Sequence, residues 1–146
     1  MISEFVKNIE VINISQNEMT KMDDKFNTFK SYMSDSLAEK YRKDIISQQE
    51  KDIFDGYFVY TKIMNVDFDY YNNIPQLTNI INTFVPEDIN TTVLVAFKKY
   101  KYSTLTSVTT SYNKFLKLSF TYRPLTRDEN GNMSDIGFRV TEYQYL

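Results

Sequence analysis

The sequence predicts an α+β fold in which N-terminal helices pack on a curved antiparallel sheet, and three observations predict it. Apolar residues recur at three- and four-residue steps through roughly the first third of the chain, the mark of helices with one buried face. From Phe54 onward the period changes, and β-branched and aromatic residues alternate as in a half-covered sheet. Strand candidates in the last third are separated by Ser/Thr and Asp-Glu-Asn-Gly turn signals, which suits an antiparallel meander. At 146 residues the chain has the size of one domain and no linker-like stretch divides it, so residues 1–146 read as a single unit with helices over about 2–47 and sheet over about 54–146.

Ile2, Phe5, Val6, Ile9 and Ile12 form the first helical stripe, although the dense run Ile9, Val11, Ile12, Ile14 is also compatible with a strand. Ser15 followed by Glu18 fits a capping box, so a second helix is expected from about Gln16, with Met19, Met22, Phe26 and Phe29 on its apolar face. Ser34 or Asp35 supplies the N-cap of a third, short helix carrying Leu37, Tyr41 and Ile45. At this spacing the Met and Phe stripes read as core.

The first strand candidate lies in GYFVYTKIMNVDFDYY, where Val59, Thr61 and Ile63 alternate with Phe58, Tyr60 and Lys62. Asn72 to Pro75 then interrupts the pattern, and Leu77, Ile80, Ile81 and Phe84 fit either a short helix or an irregular edge strand. Three long strands are expected over Thr91–Thr104, Ser111–Arg123 and Ile136–Tyr145, with Asn130-Gly131 as the best hairpin marker. Helices laid into such a bent sheet make a cone with a concavity between its layers.

Composition removes whole chemistries. The chain has no Cys and no His, so Ser-His-Asp and Cys-His triads, thiolate or imidazole zinc sites and disulfides are all excluded. No cofactor site is expected. With three Gly there is no glycine-rich phosphate loop, and a net charge of −2 from 17 basic and 19 acidic residues provides no general field for a nucleic-acid backbone. No run of apolar residues is long enough to span a membrane, and the start MISEFVKNIEVINIS lacks the parts of a secretory signal. Met1 leads straight into an amphipathic segment, which raises the expectation that a membrane helix lies upstream of this sequence in its parent protein.

Three clusters carry candidate chemistry. Lys98-Lys99-Tyr100-Lys101-Tyr102 interleaves cations with rings, as a nucleic-acid platform does; alternation alone instead leaves Lys99 and Lys101 on a solvated face or guarding an edge strand, which is the reading favoured here. Asp67 and Asp69 share a face of a regular strand and could hold a divalent cation or form an acid and base pair, but a hard cation wants about six oxygens and a solvated face explains the two more simply. Asp128-Glu129-Asn130-Gly131-Asn132 resembles the opening of a calcium loop, but Met133 stands where the glycine belongs and Arg139 where the final Glu belongs, so a hairpin turn is the better reading.

The C-terminal segment Ser134-Asp135-Ile136-Gly137-Phe138-Arg139-Val140-Thr141-Glu142-Tyr143 resembles the end of the VirB-eight-type assembly factors of type IV secretion systems. In that family an Asn-Pro-Leu-Gly-Phe-like turn leads into a last strand with a Thr/Ser-x-Tyr pattern. Ile136, Gly137, Phe138, Val140, Thr141 and Tyr143 match it, whereas Ser134 and Asp135 replace the Asn and Pro. Tyr32–Tyr41, YMSDSLAEKY, is similar to the helical segment before the first strand in Gram-positive relatives, and the order of elements resembles the family's nuclear-transport-factor-two-like domain. The Asn-, Lys-, Ile- and Tyr-rich composition suits a low-GC Gram-positive source, and the resemblance implies a non-enzymatic domain of a conjugative DNA-transfer channel. It would act through contacts with other channel proteins or its own copies, outside the cell membrane, and be anchored by a helix not in this chain. Gly137, Phe138 and Tyr143 are the interaction candidates. By simple alternation Phe138 and Tyr143 point to opposite faces, so at most one of them should be core.

Two other functions compete with this one. The concavity of the cone could serve a small-molecule binder or an enzyme built on carboxylate, Tyr or Lys, and a cytoplasmic location would suit it. A DNA-contacting accessory protein would use Lys98, Lys99 and Lys101.

Overall fold

In a computed structural model, which describes residues 2–71, 89–122 and 137–146, helices come first and a four-stranded antiparallel sheet follows. The α+β reading is thus met. The segment 77–84, the calcium-like turn at 128–133 with its Asn130-Gly131 marker, and residues 134–136 lie outside the described residues.

Helix α1 (Ile2–Glu10) buries Phe5, Val6 and Ile9, and unexpectedly Glu10. Both readings of the Ile9–Ile14 run hold in part. The helix stops at Glu10, and Ile12 is extended, exchanging backbone hydrogen bonds with Val59 at 2.9 and 3.0 Å. A tight turn at Gln16–Glu18 precedes α2 (Lys21–Lys30), so the second helix starts later than its cap suggests. The Glu18 carboxylate accepts the Ser15 amide at 3.3 Å and its hydroxyl at 3.1 Å. Met22 is buried, while Phe26 and Phe29 pack against the core from its margin.

Ser34 caps α3 (Asp35–Lys40), its hydroxyl accepting the Leu37 amide at 3.3 Å. The helix continues through a wide π turn at Tyr41–Ile46 into α4 (Ser47–Phe54), several residues past the predicted end. The π turn adds a residue to the helical cycle. Tyr41 and Ile46, five apart, therefore both face the core, and Ile45, expected there at a four-residue step, is only half-buried. Gly56, at φ +84, turns the chain into the sheet, and a Cβ there would sit 2.7 Å from Thr104 Oγ1.

Strands β1 (Tyr57–Asp67), β2 (Ile89–Ser103), β3 (Thr109–Tyr122) and β4 (Arg139–Tyr145) pair in chain order, as a meander. Val59, Val93, Val95, Phe97, Leu116, Leu118, Phe120, Val140 and Tyr143 form the sheet's share of the core, beneath Val6, Ile9, Tyr41, Ile46 and Ile53. Side chains thus occupy the concavity between the layers. The free edge of β4 is covered at its start, where Ser34 donates to the Val140 carbonyl (2.9 Å) and Val140 donates to that of Tyr32 (2.7 Å).

A bulge in β4 corrects the alternation expected there. Leu118 pairs with Tyr143 and Phe120 with Val140, so two positions of β3 span three of β4 and the inward side is reset at Thr141. Phe138 and Tyr143 are consequently both buried, where simple alternation allowed at most one.

Candidate functional site

Beneath the helices lies a polar cluster centred on Glu10, which is 1% exposed. Its Oε1 accepts the hydroxyls of Tyr143 and Tyr145, each at 2.6 Å, and its Oε2 lies 3.4 Å from Lys99 Nζ. The ring of Tyr145 reaches solvent, but its hydroxyl turns inward. Beside the cluster, Lys25 Nζ donates to the carbonyls of Ile9 (3.0 Å) and Val11 (2.7 Å) and to Gln49 Oε1 (2.9 Å), and Gln49 returns a bond to the Ile9 carbonyl at 2.7 Å. Lys101 pairs with Asp52 at 3.2 Å. The sheet is therefore tied to the helices by ions as well as by apolar packing.

Lys99 and Lys101 thus correct their sequence reading. β2 is an inner strand of the sheet, so they guard no edge; they face the helices, where Glu10 and Asp52 hold them. Of the three lysines, Lys98 alone points outward. Asp67 and Asp69 also do not share a strand face. β1 ends at Asp67, whose Oδ1 accepts the amides of Asp69 (2.8 Å) and Tyr70 (3.2 Å) and so closes a turn. Among the described residues no group of acidic side chains could hold a metal ion. Among the interaction candidates, Phe138 and Tyr143 have buried side chains and Gly137 is half-buried.

Burial shifts the ionisable groups of the cluster. Loss of hydration, and then the charge of Glu10, pushes the Tyr143 hydroxyl well above its ordinary value, and Tyr145 and Tyr41 rise for the same two reasons. Burial lowers Lys25 to about 8, with Glu10 opposing the shift and Lys99 adding to it. The tyrosines accordingly stay neutral donors and Glu10 is their acceptor. A general acid or base needs reach to a substrate, whereas both oxygens of Glu10 are engaged inside the fold. The cluster is built to hold α1, β2 and β4 together.

Tyr41 and Thr61 are the exceptions in this neighbourhood, because neither buried hydroxyl has a hydrogen-bond partner among the described residues. Leaving such a group unpaired costs about 1–3 kcal/mol. Tyr41→Phe should therefore raise the urea midpoint of unfolding, by roughly 1 kcal/mol of stability. A lower midpoint would show that the hydroxyl has a partner in solution. A groove of about 240 Å³ opens beside Tyr41, between the π turn and β4, with Lys40, Asp44, Gln144 and Tyr145 on its walls.

Helices layered on one face of a four-stranded antiparallel meander define an α+β domain of a recognisable architecture. Two solved structures share it. One is a TraE protein in complex with 2-(2-furyl)isonicotinic acid, at 14% identity and a TM-score of 0.58 over 99% of this chain and 90% of that one. The other is a TraE protein in complex with 4-(1H-pyrrol-1-yl)pyridine-2-carboxylic acid, at 14% identity and a TM-score of 0.60 over the same shares. At that identity the likeness is one of fold. No family model matches the sequence, and no curated protein does.

Proposed function

We propose that this chain is a non-enzymatic assembly domain of a conjugative type IV secretion channel, of the VirB-eight type, working through protein contacts. The observation that carries this reading is the likeness to TraE over 99% of the chain. The sequence resemblance supports it independently, since the matching residues Val140, Thr141 and Tyr143 fall on the last strand and Phe138 packs just ahead of it. The buried cluster fits a scaffold, because it spends its ionisable groups on rigidity.

In this proposal the domain stands at the extracytoplasmic face of a Gram-positive cell membrane, carried there by a segment outside this chain; no helix among the described residues is long and apolar enough to cross a bilayer. Its partners are other channel proteins and further copies of itself.

The test is genetic. Deleting the gene from a donor strain carrying the element should abolish conjugative transfer while leaving growth intact, and the Glu10→Ala variant, which loosens the scaffold, should fail to restore it. Transfer at the parental frequency from the deletion strain would overturn the proposal.

A further inference from the structure

The outer face of β1 and β2 carries an arrangement that the scaffold role does not use. The strand register places Phe58 opposite Tyr102, Tyr60 opposite Tyr100 and Lys62 opposite Lys98. Val59, between the first two, is buried against the helices, so these six side chains project away from them. Tyr60 and Tyr100 are stacked, with centroids 4.7 Å apart and planes 8° from parallel, and Tyr60 remains 54% exposed. Lys98 lies 5.6 Å from the centroid of Tyr100.

The lysine pair calls for an explanation. Like charges directly opposite on neighbouring strands repel and destabilise the sheet. Neither Lys62 nor Lys98 has a salt bridge among the described residues to relieve that repulsion, whereas Lys99, Lys101 and Lys117 each have one. The neighbouring stretches Phe58–Lys62, Lys98–Tyr102 and Thr109–Asn113 contain no Asp or Glu. Two cations held side by side next to exposed rings make a site whose missing component is an anion attached to something flat.

We propose that this face binds single-stranded nucleic acid, with successive phosphates at Lys62 and Lys98 and bases stacking on Tyr60 and its aromatic neighbours. An unpaired strand offers both features, regularly spaced phosphates and free base faces. Duplex DNA keeps its bases stacked on each other, and an acidic peptide supplies charge with nothing to lie on the rings. A second copy of this face would set lysines against lysines. The inference stands on the geometry of the sheet alone and does not require the channel reading, so either can fail without the other.

Fluorescence anisotropy of a short labelled oligothymidylate, titrated with the whole chain, tests it. Binding is expected at low salt, and two phosphate contacts on a single strand predict a slope of about −1.4 in log K against log salt. Tyr60→Ala should weaken binding roughly tenfold through lost stacking. Lys98→Glu is the more telling variant because it turns the like-charge pair into an opposite-charge one. Binding should fall about tenfold at low salt while the urea midpoint rises; a folding defect would lower both. Lys51→Glu, on the exposed side of α4, should leave binding unchanged. No anisotropy change at low salt would overturn the proposal. So would equal weakening by Lys51→Glu and Lys98→Glu, or sedimentation with phosphatidylglycerol vesicles without oligonucleotide binding.

Discussion

Glu10→Ala should cost about 3–5 kcal/mol of unfolding free energy, the usual penalty for removing one partner of a buried ion pair. The substitution strips Tyr143 and Tyr145 of their shared acceptor and leaves Lys99 facing an apolar layer. Glu10 is the acceptor that both hydroxyls share, and Tyr143 cannot swing out to water, being fixed by edge contacts with Phe5 and Tyr145 at 6.4 and 5.8 Å. Glu10→Gln keeps an acceptor oxygen for the tyrosines but gives up the charge, so its cost should be smaller, about 1–3 kcal/mol. Urea unfolding followed by far-ultraviolet circular dichroism gives both numbers. A loss below about 1 kcal/mol for Glu10→Ala would mean that the cluster contributes little to holding the layers together.

Stability should rise between pH 8 and about 10, and then fall. Lys25 sets the rise. In the unfolded chain its ammonium holds its proton to near the ordinary value of 10.5, whereas in the fold it releases it at about 8. Over that window the unfolded state binds more protons, so stability increases with pH, by up to roughly 3 kcal/mol. The tyrosines set the fall. Tyr41, Tyr143 and Tyr145 are raised above the ordinary phenol value of 10.0. Above that pH the unfolded chain loses phenolic protons that the folded one keeps, and the stability they contribute drains away as pH climbs. Urea midpoints measured at unit intervals from pH 7 to 11 would trace the maximum, and Lys25→Gln should flatten the rising limb alone. A midpoint that declines steadily from pH 8 in the parent protein would refute the assignment of Lys25.

Much of the architecture was legible because it follows from local periodicity. The Ser34 cap, the Phe5–Val6–Ile9 stripe and the long strands around Val93–Phe97 and Leu116–Phe120 each announce themselves within a few residues. What escaped depends on residues far apart or on a single extra residue. The π turn has no local signature, yet it moves Ile46 inward in place of Ile45. The β4 bulge likewise resets alternation and brings Phe138 and Tyr143 to the same side. Glu10 sits between Ile9 and Val11 and reads as the polar edge of an amphipathic helix; its true partners are Lys99, Tyr143 and Tyr145. Lys99 and Lys101 looked solvated because a lysine's burial is set by the carboxylate it meets, and neither carboxylate is near in sequence. The one hint available was that both lie in register with Val93, Val95 and Phe97, the apolar odd positions that precede them on the strand. By the same alternation Lys62, absent from the sequence-level candidates, joins Lys98.

The bond between Glu10 and Tyr143 links residues 133 positions apart, and this bears on how the protein is made. A ribosome adds about 5–20 residues per second, so Glu10 is synthesised many seconds before its acceptor role can be filled. Until the last strand emerges, α1 carries an unsatisfied carboxylate on its apolar side, and the early helices have no complete surface to settle on. The nascent chain therefore cannot lock in stages from its first residue onward. It acquires its final order late, when β4 arrives and Tyr143 reaches Glu10 on α1.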